Sequence, residues 1–224
     1  LSLYPWTRGQ FLANMVANQT MSRTNKISLQ AEKADMKQIK KYILGLLEQK
    51  DLDSALQKIE SLPPRQVLGP LFAGLLNPGE LVRWRSITAM GRTVNRLTDE
   101  DMEQGRVVMR RLMWSLNDES GGIGWGAPES MAEIMAVNQA LALEFKSILF
   151  SYLVEREEGA DNFLEYLPLR RGAFWGVARL AQARPDIAVS GQDKARQALE
   201  HEQDPFILAC LGLYFKLTSL DDSA

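Results

Sequence analysis

From Met36 onward apolar residues recur at every third or fourth position, while Val, Ile and Thr seldom alternate with polar neighbours. A 3.6-residue period turns one face of a helix to a core, whereas a half-buried strand needs a period of two. The chain is therefore expected to be all-α. Hydrophobic residues make up 46% of it and charged residues 24%, enough apolar surface to offset the ordering entropy of most of its length.

Proline, glycine and capping residues divide the pattern into segments. Residues 36–50 place Ile39, Ile43, Leu46 and Leu47 on one face, and residues 51–62 add Leu52, Ala55, Leu56 and Ile59 before Pro63 and Pro64 end that helix. Residues 67–76, with Gly69, Pro70 and Gly74, read as a short or bent helix. Leu81, Trp84, Ile87, Met90, Val94 and Leu97 form a stripe expected to face a core. Thr98 reads as the next N-cap, with Asp99, Glu100 and Asp101 in the first turn. Beyond a glycine-rich loop, Pro128 opens a helix, and 139–155, 169–183 and 192–202 follow. Residues 161–166 fit a single helical turn, residues 185–191 a separating segment, and Asp204-Pro205 opens the last helix. The expected organisation is a loosely ordered N-terminal extension over 1–35, one helical domain over 36–220, and a frayed tail over 221–224. Within the extension, residues 1–20 fit poorly with a signal peptide, and Met21 begins a more ordinary polar stretch.

Several function classes are disfavoured. With 26 basic and 28 acidic residues the formal charge is −2, which gives no long-range attraction for nucleic acid. Cys210 is the only cysteine and His201 the only histidine, so neither an intrachain disulfide nor a Cys/His metal cluster can form, and a cytoplasmic location fits. The most apolar stretch, 206–217, is too short for a bilayer and contains Lys216, so no membrane span is expected. No cofactor is expected.

Unusual chemistry concentrates between Trp114 and Met135. Gly121, Gly122, Gly124 and Gly126 surround Ile123 and Trp125, a density that permits positive φ or close approach of a backbone or ligand. The loop lacks the Lys-Ser/Thr ending of a phosphate-binding loop, and Asp118, Glu119 and Glu129 flank it, so nucleotide is excluded. Either Ile123 and Trp125 plug a joint between helices, or Trp125 meets a ligand. Asn117, Asp118 and Glu119 offer acid/base or cation-binding groups, or simply cap a helix end in solvent. Arg85, Arg92 and Arg96 share a helical face that Arg106, Arg110 and Arg111 extend, giving a cationic strip for an acidic partner or a face paired with nearby carboxylates. His201 and Cys210 read as structural.

Three segments carry a loose common pattern. They are Val82-Arg83 with Ala89-Met90-Gly91, Leu169-Arg170 with Ala173 and Val177-Ala178, and Asp204-Pro205 with Ile207, Cys210 and Phe215. The helices opening each unit begin near Gly79, Pro128, Pro168 and Asp204, at intervals bracketing the roughly 40 to 47 residues of two-helix repeats. On these residues the chain resembles the HEAT-like, armadillo-type repeat family, and is similar to HEAT-like proteins of sulfate-reducing bacteria that carry no assigned activity. The resemblance implies an α-solenoid of roughly four to five helical pairs. Such folds work mostly as scaffolds that bind a protein partner, here through Trp125, Trp114, Asp118, Glu119, Arg85, Arg92, Arg96 and Arg110. A second implied reading is an enzyme of the HEAT-like DNA glycosylase type that acts on alkylated bases, with Trp114, Asp118 and Arg110 imitating its Trp, Asp and Arg. A HEAT-like bilin lyase is a third.

Overall fold

The helices over residues 80–100, 127–137, 167–183 and 205–218 pack each on the next in that order, so segments far apart in sequence lie side by side. The computed structural model describes residues 35–116, 124–155 and 162–219. Two units divide the chain, Leu1–Tyr42 and Ile43–Ala224. In the first, residues 35–42 are described and are helical.

The second unit begins with α1 (43–47) and continues through α2 (Leu52–Glu60), α3 (Pro64–Leu75), α4 (Glu80–Glu100) and α5 (Met102–Leu116). After the glycine-rich segment come α6 (Ala127–Val137), α7 (Gln139–Ser151), α8 (Leu167–Ala183), the short α9 (Pro185–Ala188) with a 3-10 turn at Val189–Gly191, α10 (Gln192–His201) and α11 (Pro205–Thr218). No strand occurs among the described residues, so the fold is all-α. α4 packs between α3 and α6, α6 between α4 and α8, and α8 between α6 and α11. A second row formed by α5, α7, α9 and α10 lies against these, α5 on α4 and α6, α7 on α6 and α8. Met90, Val94, Met131, Ile134, Phe174, Val177 and Leu211 are fully buried in the first row. The helices that begin it follow Gly79, Gly126, Tyr166 and Asp204, close to the openings read from sequence.

Several boundaries depart from expectation for visible reasons. Thr98 is not an N-cap: the hydrogen-bond ladder of α4 runs on to Glu100, and Asp101 is the extended residue whose side chain accepts the Glu103 N–H at 3.0 Å. The Thr98 hydroxyl is buried, donating to the Asn95 carbonyl at 2.6 Å and accepting from Asn138 Nδ2 at 2.8 Å. Asn138 also caps α7 by accepting the Leu141 N–H at 3.0 Å, so one polar cluster fixes α4 to the α6–α7 corner. Residues 162–165 are not helical, and 185–191 form a short helix and a 3-10 turn rather than a plain connection. At the start of the α4 stripe Leu81 is 54% exposed and Trp84 37%, so the core covers the stripe only from Ile87 onward.

Three arginines of α4 face the ends of earlier helices. Arg85 donates to the Leu47 carbonyl at 2.9 Å and to the Gln49 carbonyl, Arg96 to the Leu62 carbonyl at 3.2 Å, and Arg92 pairs with Glu60 at 3.2 Å. Arg184 does the same for the Met135 carbonyl at 2.9 Å. The last carbonyls of a helix have no partner within it and carry its partial negative charge, so a guanidinium satisfies both needs. Replacing Arg85 with Ala should lower stability by about 1 to 2 kcal/mol, the worth of charge-assisted hydrogen bonds to carbonyls. Urea unfolding of Arg85→Ala beside Arg110→Ala, whose exposed pair with Glu103 should contribute little, checks this.

Candidate functional site

Gly126 has φ of 70°, a left-handed conformation that a side chain disfavours, and it turns the chain from Trp125 into α6. Glu129 stands in the first turn of that helix. The turn aims both at the start of α8. There Gly172 leaves the room Glu129 needs: a Cβ at this position would lie 2.6–2.8 Å from the carboxylate.

These residues border a cavity of about 250 Å³ where the first halves of α4, α6, α8 and α11 meet. Trp84, Trp125, Trp175 and Phe206 line it together with Arg83 and Glu129. The Trp84 and Trp175 rings lie 5.0 Å apart at 58°, and Trp125 stands edge-on to Tyr166 at 5.8 Å. Glu129 Oε2 is shut off from solvent and has no hydrogen-bond partner. Burial pushes its carboxyl up to about 7 from an ordinary 4.5; its own backbone N–H and the charge of Arg83 pull the other way without prevailing.

The charged groups at the rim are already matched. Arg83 lies 3.6 Å from Glu80 and 6.0 Å from the Trp125 ring centre, and Arg171 holds Asp204 at 2.6 Å, Asp204 also capping α11. The unmet group is therefore the acid. A larger cavity of about 410 Å³ shares Trp125 and is mostly apolar; its one cation, Arg111, sits 3.8 Å above the Phe72 ring. A third, of about 260 Å³, includes His201; there Arg170 Nε, buried without a hydrogen bond, has the opposite charge of Glu202 at 3.6 Å, and its guanidinium lies 5.6 Å from the Phe163 ring.

Among the residues singled out in the sequence, Trp125 belongs to the 250 Å³ cavity, half-buried. Trp114 is 71% exposed at the end of α5, and Arg110 pairs with Glu103 at 2.6 Å. Asp118, Glu119 and Ile123 lie outside the described residues. Arg85, Arg92 and Arg96 point to α1 and α2, whereas Arg83 meets Trp125, so the arginine strip and Trp125 do not converge. Sequence reading missed Trp84 and Trp175 as a pair, Gly172, and Glu129 as more than a counter-charge. A partial sequence signal existed: Trp84 and Trp175 both lie on helices that open successive units.

Among the described residues no helix is long and apolar enough to cross a membrane. Comparison with known proteins gives a relative in Archaeoglobus fulgidus, described as an uncharacterised protein, that is 28% identical over 151 residues, covering 67% of this chain and 72% of the relative. No family's sequence profile matches the chain. No solved structure matches it.

Proposed function

We propose that the chain is a HEAT-like α-solenoid that serves as a non-catalytic binding module, taking part of a protein partner into the tryptophan-lined cavity. In this reading α4, α6, α8 and α11 are the first helices of successive pairs, and the cavity opens where their N-terminal halves meet. The observation that carries it is Glu129 Oε2, buried without a partner among three indoles. An unsatisfied buried carboxyl costs stability, and a fold under no demand but packing would fill that space with an apolar side chain. A concave apolar site with one convergent polar group is the usual form of a ligand pocket. The single cysteine, Cys210, which can form no intrachain disulfide, suits a cytoplasmic location.

Capture of partners from lysate, with wild type beside Trp175→Ala and Glu129→Gln, tests this once circular dichroism shows each variant folded. A specific protein recovered by wild type and by Arg110→Glu, and lost from both cavity variants, is the expected result. Recovery that ignores the cavity variants would move the binding surface elsewhere.

One observation favours the enzyme reading, a glycosylase acting on alkylated DNA bases. Trp125, Glu129 and Arg83 gather in one cavity, and an acid titrating near 7 is poised for proton transfer. Against it stand the balanced charge and the engagement of Arg85, Arg92 and Arg96 with other helices. Release of alkylated base by wild type but not by Glu129→Gln would put this reading first.

A further inference from the structure

The tryptophan-lined cavity restricts what can enter it. Its volume of about 250 Å³ admits the end of a side chain rather than a folded surface. Glu129 Oε2 has no hydrogen-bond partner, and since the ionised carboxylate can only accept, an occupant that selects that form must bring a donor. Arg83 and Arg171, the cations at the rim, are offset by Glu80 and Asp204, which leaves Glu129 as the unbalanced charge and disfavours an anion. Three indoles stand in the cavity walls beside Phe206, Pro168 and Leu169, and indole faces attract cations, most of all flat and weakly hydrated ones. An ammonium is compact and strongly hydrated, and entering an apolar cavity strips water it holds tightly. A guanidinium is planar, sheds water more readily, and carries several N–H groups in a rigid fork suited to a carboxylate.

We infer that the cavity is a receptor for a guanidinium group, the end of an arginine side chain of the partner, which donates to Glu129 Oε2 and lies against the indoles of Trp84, Trp125 and Trp175. This deepens the binding-module reading and rests on it. The charged groups facing the occupant are Glu129 from α6, Glu80 and Arg83 from α4, and Arg171 from α8, the last held by Asp204 of α11. Of these, Glu129 is the group that changes charge near neutrality, so protonation should compete with the guanidinium.

The test is a titration of the full chain with N-acetyl-arginine amide, N-acetyl-lysine amide and tetramethylammonium, followed by the indole N–H resonances of Trp84, Trp125 and Trp175, assigned through single Trp→Phe variants. Saturable shifts at these indoles with the arginine probe are expected, at least tenfold tighter than with the other two. Binding should fall at least tenfold in Glu129→Gln and weaken from pH 8 to pH 6 in wild type alone. Equal binding of tetramethylammonium, or arginine binding that survives Glu129→Gln, would overturn the assignment of a guanidinium to the acid. Silent indoles with every probe would overturn the cavity as a cation receptor. In either case a partner lost on Trp175→Ala would still stand, so failure of this inference is distinguishable from failure of the binding-module reading.

Discussion

Glu129→Gln should make the folded chain more stable at pH 8, by as much as about 3 kcal/mol, because the carboxyl is held at about 7 against an ordinary 4.5 and each unit is worth about 1.4 kcal/mol. The sign follows from proton uptake. Between those two values the native state holds the proton more tightly than the unfolded chain does, so wild-type stability is greatest below the ordinary value and declines as pH rises through about 7. The amide has no such titration, and its stability should stay flatter across that window. Urea unfolding of both proteins at pH 5 and pH 8 reads the difference directly. A wild type that loses nothing relative to the variant between these pH values would mean that water or a cation reaches Oε2 and that the acid is not strained. Under the proposed binding role, the gain would come with loss of binding, the usual relation between a strained site and its use.

Tyr214→Ala should be among the most damaging changes to the core, lowering stability by about 4 kcal/mol, as truncations of buried aromatics do. The ring is fully buried, edge-on to Phe150 at 6.3 Å and to Phe215 at 5.4 Å. Its hydroxyl donates to the Ala188 carbonyl at 2.7 Å, tying α11 to the corner between α9 and the 3-10 turn. Tyr214→Phe isolates that bond and should cost about 1 to 2 kcal/mol, the penalty for a buried carbonyl left without its donor. Thermal unfolding separates the two, since about 1 kcal/mol moves the midpoint of a chain this size by roughly 2 to 4 °C. Equal midpoints for the variants would mean that the hydroxyl, not the ring, carries the contribution.

The helices were legible because burial imposes its period within each of them. Val94, Met131, Phe174 and Leu211 each sit where their own helix predicts. What meets across helices leaves no such trace. Trp84 fits the stripe of α4, yet it borders a cavity because its neighbour on α8 is Trp175 and the core begins one turn later. Thr98 has the chemistry of an N-cap, but Asn138, some forty positions on, claims its hydroxyl while the helix continues past it. Arg85, Arg92 and Arg96 share a face as their spacing requires, and the carbonyls and carboxylate that face them belong to segments whose position no local pattern records. Glu129 was visible only as a charge. Its burial depends on the missing side chain of Gly172, on another helix.

The arginines at helix ends also bear on the order in which the chain is completed. Leu47 waits 38 residues for Arg85, Leu62 waits 34 for Arg96, and Met135 waits 49 for Arg184. At about 5 to 20 residues per second of synthesis, each of these helix ends stays open to water for roughly two to ten seconds after it is made. Closure therefore waits for a later segment, α4 supplying it for the ends of α1 and α2, and Arg184, beyond α8, for the end of α6.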